Sequence, residues 1–295
     1  MYRGKSVKVK ASGIDEFGKA LSFDYTLGSA RASGASATLA TPTTGGFYPL
    51  ATKIISGGKT IATRTDTIAA WDLAGLNASR SGRTISAQAL VGGIPKGYTY
   101  KFLYSGPKGS GVFYSGKAST AKYAAPAGGN YTLTVELYDA QGKRVATKST
   151  GVSIPLNTAE KMLAKAQDYT SATNKLILVN LSARNLGIYS GSYGNWTNVM
   201  FSNVSVGAPS TPTVKGVFTV GSKGYSFGGA DYTCYYWTQF CGDYLFHSVL
   251  YHAGTRNIKD GTLRMAISHG CIRMDINDAQ WLQNNVPSGS KVVVY

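Results

Sequence analysis

Acidic residues are scarce in this chain: 14 Asp and Glu stand against 30 Lys and Arg among 295 residues, a formal charge of +16. The excess contains no Lys/Arg run, so it predicts a dispersed basic surface suited to polyanions, which in a cell-wall setting would be anionic wall polymers. Without a recognition motif it does not predict a nucleic-acid partner. No stretch approaches about 18 uninterrupted apolar residues, so no membrane-spanning helix is expected. A signal-peptide pattern behind Met1 is also missing, and an exported protein would be read here as a mature fragment. Long helical periodicities are few, whereas 36 Gly and 20 Tyr favour short strands joined by turns. Histidine and cysteine number only three each, all between Cys234 and Cys271. Chemistry that needs imidazole or thiol is therefore excluded from the first half.

The chemistry that is present is concentrated in Ile267-Ser268-His269-Gly270-Cys271-Ile272-Arg273-Met274. A cysteine reacts as its thiolate, and a neighbouring imidazole or guanidinium favours that form. Cys271 is thus expected to be a nucleophile held ionised beside a histidine. Gly270 lets the backbone come close, and the N–H groups of Gly270 and Cys271 are the expected oxyanion donors. His269 and Cys271 would share one face of an extended segment. The base must reach the sulfur, which leaves His247, His269 and His252 as candidates. Arg273 can hold a carboxylate with two parallel hydrogen bonds, or it can pair structurally with Asp275 or Asp278. Tyr236 and Trp237, with Tyr225 and Tyr235, are candidates for lining a substrate cleft. The spacings His247-x4-His252 and His269-x-Cys271 match no usual zinc pattern.

The octet resembles the Ser-His-Gly-Cys signature of the L,D-transpeptidase (YkuD-like) family of peptidoglycan cross-linking enzymes. Three further blocks resemble family elements: Phe246-His247-Ser248 its upstream histidine motif, Thr211-Pro212-Thr213-Val214-Lys215-Gly216-Val217-Phe218 its strand entry, and Asp275 to Leu282 the helix after the signature. Together they cover about the last 120 residues. The resemblance implies that Cys271 forms a thioester and that His247 is the general base, with Ser248 holding its other ring nitrogen. It gives His269 a supporting role and turns Arg273 toward a substrate carboxylate. It further implies 3-3 cross-links between peptidoglycan stem peptides, no cofactor, a cell-wall or cell-surface location, and acylation of Cys271 by carbapenem-type drugs. If water replaced the acceptor amine, the same site would be an L,D-carboxypeptidase. A non-enzymatic wall-binding protein is the remaining alternative.

Cys234 and Cys241 flank an aromatic stretch and could close a small disulfide loop if the backbone turns between them, which would fit an oxidising compartment. In the first half, Gly45-Gly46-Phe47-Tyr48-Pro49-Leu50 returns as Gly128-Gly129-Asn130-Tyr131-Thr132-Leu133, and Gly58-Lys59-Thr60-Ile61-Ala62-Thr63 as Gly142-Lys143-Arg144-Val145-Ala146-Thr147. A repeat of about 83 residues suits a small β-sandwich occurring twice. Both copies resemble bacterial immunoglobulin-like repeats. The expected architecture is mainly β: immunoglobulin-like β-sandwich repeats at 1–69 and 70–155, a helical linker at 156–171, and a YkuD-like mixed β-sheet catalytic domain at 172–295. Asn157, with Glu160 three positions on, predicts the linker helix, and Asp275 caps a second one.

Overall fold

The computed structural model describes residues 5–295 and divides into two compact units, the first ending at Pro155 and the second spanning Leu156–Tyr295. Met1 lies outside the described residues.

The first unit begins with β1 (Ser6–Lys10), β2 (Ser22–Leu27), β3 (Ala30–Ser33), β4 (Ser36–Ala40), β5 (Gly46–Ser56) and β6 (Lys59–Ala70). β1 pairs with β4, and the other four form a sheet in the order β3-β2-β5-β6. Alternation along β1 and β2 turns Val7, Val9, Phe23, Tyr25 and Leu27 inward, where they meet Leu39 and Leu50 between the sheets. After Trp71 come β7 (Asp72–Ser81), β8 (Thr84–Gly92), β9 (Thr99–Gly106), β10 (Gly109–Gly116), β11 (Thr120–Ala124), β12 (Gly129–Tyr138) and β13 (Arg144–Ile154). Their sheets run β11-β8-β7 and β10-β9-β12-β13. The order β10-β9-β12-β13 repeats β3-β2-β5-β6 strand for strand, and the pair β11-β8 repeats β4-β1. The repeated sequence blocks fall on matching hairpins: the first copy on β5 and β6, the second on β12 and β13. On β12, Tyr131, Leu133, Val135 and Leu137 are buried.

The second unit opens with α1 (Thr158–Ala166), capped by Asn157 and Glu160 bonding to each other's backbone N–H at 2.9 and 2.8 Å. The helix does not act as a free linker. Met162 and Ala166, four apart on one face, are fully buried among Leu176, Leu178, Tyr189 and Val293, so α1 belongs to this unit's core. Then follow β14 (Lys175–Asn180), β15 (Asn185–Ser190), β16 (Thr197–Asn203), β17 (Val206–Gly207), β18 (Gly216–Thr219), β19 (Lys223–Gly228), β20 (Thr233–Cys241), β21 (Tyr244–Ser248), β22 (Leu250–Tyr251), β23 (Ile258–Asp260), β24 (Ala266–Ser268), β25 (Ile272–Met274), α2 (Ile276–Asn285) and β26 (Lys291–Val294). One sheet runs β16-β15-β14-β26-β18 and a second β23-β22-β20-β21-β25, with β19 also on β20. Buried hydrophobic side chains of both sheets and of α2, including Ile177, Val179, Phe246, Ile272, Leu282 and Val292, make one core. The parallel pairing of β21 with β25 sets His247 opposite Arg273 and so brings the histidine block beside the cysteine block.

Candidate active site

Cys271 lies where the chain passes from β24 to β25, and its sulfur meets the neighbouring β21 strand end. Sγ accepts from the Leu245 N–H at 3.4 Å and faces the Asp243 carbonyl at 3.5 Å. Burial pushes the thiol pKa up, although the Leu245 N–H and the Arg273 charge pull it back. His247, 3% exposed on β21, is lowered to about 4 by burial and, secondarily, by Arg273. Desolvation thus opposes charge on both the thiol and the imidazole, against the ionised sulfur expected from the sequence. The Nδ1 of His247 is 2.6 Å from the Ser248 carbonyl oxygen. A carbonyl only accepts, so Nδ1 carries the proton and Nε2 is the basic nitrogen. Phe227 stands edge-on to the ring at 5.2 Å and limits its rotation.

Ser248 thus holds the His247 ring through its backbone carbonyl. Its hydroxyl instead accepts from the Tyr235 N–H at 2.8 Å and donates to the Val249 carbonyl at 2.7 Å, tying β21 to β20.

Gly270 turns the loop at φ +118°, and a Cβ there would fall 2.7 Å from the Tyr244 ring. This turn interrupts the extended run expected from His269 to Cys271. His269 is exposed, yet it still borders the same cavity as Cys271. The Gly270 N–H donates to Ser268 Oγ at 3.1 Å, so it is not the oxyanion donor expected of it. The Cys271 N–H has no hydrogen-bond partner among the described residues and lies beside the sulfur. Ser268 Oγ also donates to the Cys271 carbonyl at 2.6 Å. Thr213, buried, donates to the Gly270 carbonyl at 2.7 Å, and Thr211 to the Ser268 carbonyl at 2.9 Å. The Thr-Pro-Thr block is therefore a brace for the cysteine loop.

A cavity of about 380 Å³ joins these groups. Cys271, His247, His269 and Arg273 border it, with Phe227, Asp231, Tyr232, Cys234, Leu250 and Lys259. Arg273 is 7% exposed and donates from Nη1 to Asp260 at 2.9 Å. Neither expected carboxylate is its partner: Asp275 caps α2 and Asp278 accepts from Ser202. Its Nε is buried without a partner.

Tyr236 and Trp237 do not line this cavity. Tyr236 adopts φ +56°, and its hydroxyl accepts from Arg256 at 3.3 Å in a cluster with Tyr225 and Tyr235. The Arg256 guanidinium lies 3.9 Å from the Tyr235 ring centre. Trp237 covers Gly224, where a Cβ would meet its ring at 2.4 Å. No sequence period foretold this, because the left-handed residue inside β20 changes which side chains share a face.

The Cys234–Cys241 disulfide is likewise corrected. Both residues sit on β20 and both are free. Seven steps of strand span about 23 Å, whereas bridged Cα atoms lie within about 7 Å. Cys234 instead borders the same cavity as Cys271, its thiol pushed up to about 12 by burial. His252 lies in an exposed turn after β22, and its backbone carbonyl accepts from the Thr255 N–H at 3.0 Å. Asp260, Thr211 and Thr213 escaped assignment beforehand; only the two threonines lay within a recognised block.

Residues 174–294 match the model of the YkuD L,D-transpeptidase catalytic domain. A Bacillus subtilis (strain 168) protein, provisionally named L,D-transpeptidase YciB, is 38% identical over 77 residues, 25% of this chain and 37% of its own length. The chain therefore spans little more than a third of that relative. Among solved structures, a fused zinc-dependent amidase/peptidase/peptidoglycan-binding domain-containing protein from Clostridium acetobutylicum ATCC 824 aligns with 29% identity, TM-score 0.40, over 49% of this chain and 75% of that one. An L,D-transpeptidase from Mycobacterium smegmatis aligns with 16% identity, TM-score 0.33, over 85% and 93%.

Proposed function

We propose that the YkuD L,D-transpeptidase catalytic domain at residues 174–294 forms 3-3 cross-links between peptidoglycan stem peptides through a thioester on Cys271. The observation that carries this reading is the cavity shared by Cys271 and by a buried His247 whose Nδ1 is fixed on the Ser248 carbonyl. With Nε2 left basic, His247 takes the thiol proton as sulfur attacks the carbonyl between the third and fourth residues of a tetrapeptide stem. The Cys271 N–H faces the developing oxyanion, and the proton on His247 passes to the departing amine. Arg273, which borders the cavity and has an unpartnered Nε, holds a carboxylate of the donor. An amine of a second stem then displaces the sulfur.

His269 borders the cavity without a partner role in the proton path, which fits support rather than base chemistry. The two sandwiches of the first unit, which we read as immunoglobulin-like, serve as spacers. The basic surface holds the enzyme near anionic wall polymers outside the cell.

Purified stem tetrapeptide, with and without a candidate acceptor amine, separates the outcomes by product mass. A cross-linked dimer is expected, and Cys271→Ala should make none. Tripeptide alone would convert the assignment to L,D-carboxypeptidase; a Cys271→Ala protein that still cross-links would defeat the thioester.

A further inference from the structure

The two sandwiches of the first unit differ by one strand. In the second, β8 is flanked by β11 on one edge and by β7 on the other. In the first, its counterpart β1 pairs with β4, and among the described residues no strand occupies its other edge. The correspondence holds bond by bond. The Ala11 N–H donates to the Ala35 carbonyl as the Ala89 N–H does to the Ser119 carbonyl, and the Thr41 N–H donates to the Lys5 carbonyl as the Ala125 N–H does to the Arg83 carbonyl. Backbone groups along a strand point to its two edges in turn, so those of Lys8 and Lys10 point to the open one.

Beside that edge is a cavity of about 440 Å³ bordered by Val9, Ala11, Tyr25, Thr52 and Ile54. Strand pairing matches Tyr25, Thr52 and Ile54 to Phe102, Val135 and Leu137. Those three are fully buried in the second sandwich, where Leu73 and Leu76 of β7 join the same core. Ile54 is only half-buried, and the Tyr25 hydroxyl is buried without a hydrogen-bond partner. Leu76 stands opposite Ala89, the counterpart of Ala11, and so marks the place that the cavity leaves open.

We propose that the first sandwich binds an extended segment of another protein as its missing strand, antiparallel to β1, with apolar side chains at alternate positions turned into the cavity and acidic ones between them. Main-chain bonds to Lys8 and Lys10 give the affinity, and the cavity selects the side chains. The acidic positions follow from the outward face of β1, where the exposed Lys8 and Lys10 stand in place of Ser86 and Gln88. Opposite charges directly across two strands attract, whereas the same lysines discourage a second β1 from pairing there. With 14 acidic residues against 30 basic ones, this chain is also a poor source of such a strand. Binding here is independent of the thiol chemistry at Cys271.

The probe is a labelled ten-residue peptide, the β7 segment Asp72–Ser81 carrying Asn77→Glu and Ser79→Glu, the positions that face Gln88 and Ser86. Titrated against the full chain by fluorescence anisotropy, it should bind saturably and protect the Lys8 and Lys10 amides from hydrogen exchange. Putting Lys at both Glu positions should weaken binding about tenfold, the scale of two cross-strand charge pairs, and Lys8→Gln with Lys10→Gln should do the same to the Glu peptide. Methylating the two Glu nitrogens, which face β1, should abolish binding; methylating those of the intervening Ala and the preceding Leu, which face away, should not. No saturation by about 1 mM, a shuffled peptide that binds as well, equal affinity of the Glu and Lys peptides, or equal losses from both methylated forms overturns the strand site. A dimer of the full chain in sedimentation velocity that the peptide dissociates would overturn the assignment to a foreign strand in favour of a second copy.

Discussion

Burying His247 uncharged makes the second unit acid-sensitive by an amount that can be worked out. Its imidazole pKa falls from the ordinary 6.5 to about 4. Below 6.5 the unfolded chain takes up a proton that the folded one refuses, so the contribution is complete above that pH and is lost as pH falls toward 4. At about 1.4 kcal/mol for each tenfold change in proton affinity, the loss reaches about 3 kcal/mol at pH 4, and about half of that near pH 5.3. A domain holds on the order of 5–15 kcal/mol in total, so the effect is large. The comparison is with His247→Asn, which keeps a donor for the Ser248 carbonyl but cannot titrate. Urea unfolding followed by tryptophan fluorescence reports mainly on this unit, because Trp196, Trp237 and Trp281 lie in it and only Trp71 lies in the first. Groups that titrate in both proteins cancel, and wild type should lose about 3 kcal/mol more than the variant between pH 7.5 and 4. Parallel pH profiles would refute a buried, neutral His247.

Two further outcomes test the cysteine loop. Gly270→Ala places a Cβ 2.7 Å from the Tyr244 ring at φ +118°; strain and overlap together should cost about 2–4 kcal/mol in thermal or urea unfolding. Adding Tyr244→Ala should return only the steric share, leaving the backbone share in place. Because burial raises the Cys271 thiol, its alkylation rate at the cavity should keep climbing above the usual thiol range; a plateau at neutral pH would instead indicate a preformed thiolate–imidazolium pair.

That Cys271, His247 and Ser248 come together was legible because each sits in a short block that resembles a family motif. The cap of α1 was legible too, since Asn157 and Glu160 act on adjacent backbone. Misreadings arose wherever a residue's surroundings come from distant chain. Cys271 and His247 look like an ion pair in sequence, but His247 is buried against Phe227, and burial opposes charge on both groups. Tyr236 and Trp237 look like cleft walls until the left-handed backbone at Tyr236 gives them to other neighbours.

Composition and short-range pattern were enough, by themselves, to dictate a mainly β chain, two copies of one strand pattern, and a thiol and an imidazole in the last 120 or so residues. Those properties depend on side-chain chemistry and on periods of two residues, both of which travel with the chain. The burial of the pair, the Asp260 partner of Arg273, the threonines bracing Gly270 and the Asp231–Lys259 ion pair beside the cavity were settled only when β21 lay beside β25 and the β19–β20 turn came to β23. Desolvation and ion pairing depend on distance in space, and residues 28 apart along the chain, as Asp231 and Lys259 are, carry no local mark of meeting.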